Sequence, residues 1–182
     1  PAFYMDRLEV TNRQYQAFVD AGGYANPTYW TEPVVRDGKV LGWSQAMALF
    51  RDRTGRPGPS TWEGGHYADG QADYPVAGIS WYEAAASAAF ADAALPPFSP
   101  WSRGAPPDLA RFLVLASNIR RTSLAQVGAF TGVGPYGTYD MAGNVREWAL
   151  NAIGPERHVI LGGGWSSQTY LAAEPEALPP WE

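Results

Sequence analysis

The chain has 182 residues, 46% of them hydrophobic, with eight Trp and a formal net charge of −5. That length supports one compact domain with a substantial core. No basic run exceeds Arg120-Arg121, which excludes the phosphate-neutralising patch of a nucleic-acid binder, and the lack of cysteine excludes disulfides, thiolate metal sites and thiol catalysis. No apolar run approaches the roughly 20 residues of a membrane span, so membrane insertion by this segment is not expected. The start, Pro1-Ala-Phe-Tyr-Met-Asp, has no export signal and reads as a piece of something longer. Twenty Gly and 16 Pro, scattered without repeats, point to much irregular backbone held by an aromatic core.

Taken along the chain, Phe3 to Val10 alternates as a strand would. Thr11 or Asn12 then caps a helix with Tyr15, Phe18 and Val19 on one face, closed by Gly22-Gly23. From Asn26 to Tyr74 the sequence reads as loop, with a short helix over Ser44 to Arg51; Trp30, Trp43, Trp62 and Tyr67 are expected to pin it to the body. Ser80-Trp-Tyr-Glu83 matches a capping box, so a second, Ala-rich helix should run to about Ala93 and stop at Leu95-Pro-Pro. Asp108 to Leu115 is ambiguous between strand and helix. Gln126 to Phe130, Gly137 to Asp140 and His158 to Leu161 are the expected strands. Helices followed by a turn-rich, short-stranded half make an α+β class.

Several of these segments together resemble the formylglycine-generating enzyme, or sulfatase-modifying factor, family. They are Met5-Asp-Arg-Leu-Glu-Val-Thr-Asn12, Tyr74 to Ala84, Leu95-Pro-Pro to Trp101, Gly137-Thr-Tyr-Asp-Met-Ala-Gly-Asn-Val-Arg-Glu-Trp148 and Ile160-Leu-Gly-Gly-Gly-Trp165. The resemblance implies a single domain over 1–182 with a C-type lectin-like fold, two helices around a small distorted antiparallel sheet. It also implies a strand after Leu95, and a closing strand just past Trp181 that this sequence does not reach. Thr54 to Glu63 and Gly134 to Tyr139 look most like the branch attached to bacterial serine/threonine kinases. A kinase domain in the same parent chain is therefore an expected partner, with an extracytoplasmic location if that analogy holds.

Members that make formylglycine carry one cysteine two residues after the Trp of Gly-Gly-x-Trp and another five further on. Ser167 and Ala172 stand there in this chain. Neither replaces a soft thiolate for copper(I), so no copper and no formylglycine chemistry are expected. Related sulfoxide synthases lack the cysteines but draw their iron ligands largely from another domain, and His66 and His158 alone suggest no metal site.

The resemblance also implies calcium, as a structural ion on hard oxygen donors. The matching positions are Asn144 with the Val145 carbonyl and Glu147, and Asn118 with the Ile119 carbonyl; the ordinary alternative is that these side chains buttress turns. Trp165, Ser166, Ser167, Gln168, Thr169 and Tyr170 form a candidate ligand surface. Tyr136, Tyr139 and Trp148 are read as core aromatics, with pocket lining as the other option. Pairing of Asp140 with Glu147 for acid–base work rests only on their closeness in sequence.

From this the expected function is a non-catalytic, non-enzymatic module binding an unknown protein or small molecule, a sensory or display domain of a larger bacterial protein. Two alternatives stand beside it. One is a variable protein of a diversity-generating retroelement; the other is a metal-dependent oxidoreductase needing a partner domain.

Overall fold

The computed structural model describes residues 3–106, 112–154, 156–169 and 175–181. Among the described residues four α-helices precede a small antiparallel sheet. They are α1 (Asn12–Asp20), α2 (Trp43–Met47), α3 (Trp81–Phe90) and α4 (Phe98–Gly104). A two-stranded ribbon, β1 (Val35–Arg36) with β2 (Lys39–Val40), lies between α1 and α2, while β3 (Glu147–Ala152), β4 (His158–Leu161) and β5 (Glu176–Leu178) form a sheet in that order. The expected α+β class holds.

The helix starts follow from their caps. Thr11 accepts from the Gln14 amide, and the Gln14 side chain accepts from the Thr11 amide, so two otherwise orphaned donors are satisfied at α1. Ser80 and Glu83 do the same at α3. Gly23 follows α1 where the Phe18 ring passes so close that a Cβ would lie 2.2 Å from it.

The long irregular segment is held as its tryptophans suggest. Trp62 is buried and donates to Asn12 Oδ1 at 3.1 Å, and Trp30 donates to the Gly23 carbonyl at 2.9 Å while stacking on Phe50. Within it, Asp52 accepts from the Thr54, Arg56 and Gly65 amides and so fixes the loop chemistry from the inside.

Several expected elements differ. Phe3 to Val10, Gln126 to Phe130 and Gly137 to Asp140 are irregular rather than strands. Their backbone groups are met one by one: Tyr139 donates to the Arg7 carbonyl, Val127 to that of Asp73, and Val76 to that of Val10. The segment after Leu95-Pro-Pro is helix α4 where the resemblance implied a strand, and the helix expected to reach Ala93 ends at Phe90. Of Asp108 to Leu115, residues 108–111 lie outside the described residues, and Val114–Ala116 is a 3-10 turn.

The sheet divides the interior into two cores by ordinary strand alternation. Trp148 and Ile160, opposite each other in register, pack with Tyr15, Phe18, Trp62 and Trp81 from the helical half. Ala149, Val159 and Leu161 point the other way, onto Trp101, Ala105 and Met141. Among the described residues no helix is long and apolar enough to cross a membrane.

Candidate functional site

Three loops converge behind the Gly162-Gly-Gly-Trp165 turn. Trp165 donates its amide to the Asn144 carbonyl at 2.8 Å, Arg121 donates to the Trp165 carbonyl, and Asn144 donates its own amide to the Asn118 carbonyl. Gly143 makes this approach possible: its φ is +106°, and a Cβ there would lie 2.5 Å from the Asn118 carbonyl oxygen. Asn118, Ile119, Asn144 and Val145, far apart in sequence, thus share one site with Trp165.

The two asparagines are each 1% exposed and bond to one another, Asn118 Nδ2 to Asn144 Oδ1 at 2.8 Å. The Ala125 amide also donates to Asn144 Oδ1, and Asn144 Nδ2 donates to Glu9 at 2.7 Å. The Val145 amide donates to the other Glu9 oxygen. Glu9 is therefore part of the site, and sequence reasoning missed it. Its signal was its place in Glu-Val-Thr-Asn just before a helix cap, which reads equally well as a surface acid.

Glu147 lies next to this group and accepts from Trp101 Nε1 at 2.5 Å. Burial pushes its pKa up to about 7; the Trp101 bond opposes this and the Asp140 charge adds to it. Glu9 is raised well above the ordinary range by burial and by the charges of Glu147 and Asp140. Asp140 is raised by burial, with the Gly128 amide opposing. The structure thus brings Asp140 and Glu147 together electrostatically and adds Glu9 as a third acid. All three carboxyls are thereby shifted toward their protonated forms.

The surface around Trp165 is only partly a free binding face. Ser167 uses its hydroxyl to accept from the Gly164 amide at 2.9 Å, closing its own turn, whereas Ser166, Gln168 and Thr169 are exposed. Tyr170 and Ala172 lie outside the described residues. Trp148 is core, its indole donating to the Ile79 carbonyl, but Tyr136 is 77% exposed and not the core residue expected.

Fit to a metal depends on the donors. Among the described residues no group of three or more His, Cys, Asp or Glu is placed to hold one. His66 Nδ1 meets Gln16, while His158 stacks on Trp81 at 3.7 Å with its Nδ1 buried and unpartnered. An oxygen-activating metal therefore does not fit these residues alone. For calcium the oxygen donors are chemically suitable, but an ion at Asn144 would have to replace its contact with Asn118.

Comparison with known proteins adds three findings. The sulfatase-modifying factor enzyme 1-like domain family matches residues 1–111. Hercynine oxygenase of Mycobacterium tuberculosis is 30% identical over 224 aligned residues, covering 99% of this chain and 48% of that protein. The Mycolicibacterium smegmatis hercynine oxygenase is 29% identical over 85% of this chain and 38% of its own length. The chain thus spans less than half the length of these relatives. Serine/threonine-protein kinase pkn1 of Chlamydia pneumoniae is 26% identical over 87% of the chain and 24% of the kinase. A solved structure, CarF, superposes with a TM-score of 0.55 over 97% of this chain and 80% of its own, at 22% identity, and shows the fold alone.

These relatives overturn the expectation of a non-catalytic, non-enzymatic binding module, because proteins about 30% identical to the chain are oxygenases. Losing the thiolates removes one chemistry of the fold and leaves others open. The chain belongs to the sulfatase-modifying factor enzyme 1-like domain family.

Proposed function

We propose that this chain is the sulfatase-modifying-factor-like part of an oxygenase acting on hercynine or a close chemical relative of it. The observation that carries the reading is identity of about 30% to hercynine oxygenases along nearly the whole chain. Two features support it. Ser167 closes its own turn at the first cysteine position, consistent with chemistry other than formylglycine formation. In the ion-free chain burial keeps the Glu147 carboxyl near pKa 7, suited to holding or releasing a proton around neutral pH. The metal donors an oxygenase needs would come from outside the described residues.

The test is to incubate the protein aerobically with hercynine in extract of its host under heavy-isotope oxygen. Mass spectrometry should find labelled oxygen in a hercynine-derived product. Unconsumed hercynine with no incorporated label overturns the reading.

Calcium belongs to the proposal as a structural ion at Asn144, the Val145 carbonyl and Glu147, with Asn118 and the Ile119 carbonyl as a second position. Hard oxygen donors beside mutually repelling carboxylates support it. Calcium should raise the melting midpoint of the wild type, a chelator should reverse the rise, and Asn144→Ala should abolish it. An unchanged wild-type midpoint removes calcium from the proposal. A parent chain joining this domain to a kinase is a further reading favoured by the Chlamydia relatives. It is checked by the mass of the native protein and by its phosphotransfer to a generic substrate.

A further inference from the structure

A cleft of about 400 Å³ opens between the N-terminal segment, helix α4 and the 134–138 turn, and shares no lining residue with the Trp165 site. Its distinguishing groups are two arginines and three exposed aromatic rings. Arg103 lies over the Phe3 ring at 6.0 Å and Arg7 over the Tyr139 ring at 5.7 Å. Tyr4 is fully exposed and Tyr136 is 77% exposed at the same cleft. In a protein of net charge −5, these cations would be expected to find carboxylates. Among the described residues the ion pairs are Arg13–Asp73 and Arg146–Glu176, and neither cleft arginine takes part.

The floor is rigid. Thr138 Oγ1 donates to the Gly104 carbonyl, the Gly134 amide donates to the Thr138 carbonyl, and a Cβ on Gly134 would lie 2.1 Å from the Gly104 oxygen. Arg7 donates from Nε to the Gly137 carbonyl at 3.3 Å, a bond that uses neither of its terminal nitrogens. A guanidinium held over an aromatic ring by cation–π attraction can still direct N–H groups at an anion's oxygens. The exposed tyrosines supply flat surface at low entropic cost. Neither group alone selects a ligand; together they select a flat ring bearing negative charge.

We infer that this cleft is a binding site for a small planar aromatic anion, a ring carrying a carboxylate or a phosphate. The inference does not rest on the oxygenase reading. Calorimetric titration of the protein with 1-naphthoate and with 1-naphthyl phosphate distinguishes the two anion types. Inorganic phosphate and 1-naphthalenemethanol serve as the ringless and uncharged controls. At least one naphthyl anion should bind saturably and at least tenfold more tightly than either control. Arg103→Gln and Tyr136→Ala should each weaken it at least tenfold without moving the melting midpoint, since both side chains are exposed. Arg36→Gln, outside the cleft, should leave binding unchanged. Equal binding of anion and controls, or losses below tenfold in both cleft variants, or an equal loss in Arg36→Gln, overturns the inference.

Discussion

At the scale of single residues, the buried acids dominate. Glu83 is 4% exposed and accepts from Tyr24 Oη at 2.7 Å and from the Ser80 amide and hydroxyl at 2.8 Å, yet burial still lifts its pKa to about 7. Desolvation outweighs three donors. The linkage sign follows from that: a carboxyl whose folded pKa exceeds its unfolded value of 4.5 favours folding while protonated. Its contribution is full below pH 4.5 and is lost as pH rises through about 7. Glu147 acts in the same direction. Unfolding free energy should therefore decline from pH 5 to pH 8 by on the order of a few kcal/mol. Glu83→Gln, which keeps an acceptor for Ser80, should flatten that decline in urea titrations at several pH values. An undiminished slope in the variant would place the linkage elsewhere.

Elements were legible where their signal is local. The capping box at Ser80 and the apolar face of Tyr15, Phe18 and Val19 both lie within one or two turns, so α1 and α3 could be placed from sequence. β4 was equally plain as His158 to Leu161. What failed was alternation without a partner: Phe3 to Val10 has the period of a strand, but the Arg7 and Val10 carbonyls accept from separate loops, at Tyr139 and Val76. The site was half legible. Asn118, Asn144 and Glu147 were singled out, but Glu9 was not, because only the fold carries its carboxylate to Asn144. The strength of the α3 start is itself testable. Ser80→Ala removes one half of the reciprocal cap and should cost about 1 kcal/mol in urea unfolding. Ser80→Thr should recover most of it, and a cost near zero would mean that packing of Trp81 and Tyr82 holds α3 without its cap.

For the whole molecule, the decisive feature is that one short sheet serves two interiors. Successive residues Ile160 and Leu161 face opposite cores, and Trp81 of α3 donates its indole to the Ala149 carbonyl across the divide. Glu147 accepts from Trp101 of the second core where that residue reaches the sheet, so the raised pKa of this acid and the packing share a support. This predicts cooperative unfolding despite the low regular content. Leu161, 2% exposed, should cost about 2–5 kcal/mol when truncated to alanine, through lost burial and the cavity left behind. If the sheet couples both halves, Leu161→Ala lowers hydrogen-exchange protection in α1 and α3 as much as in β4, and thermal unfolding stays a single transition. If the cores are independent, protection falls only around Trp101 and Met141 and a second transition separates. The shared strand, the indole bond across it and the opposed side-chain faces all argue for the first outcome.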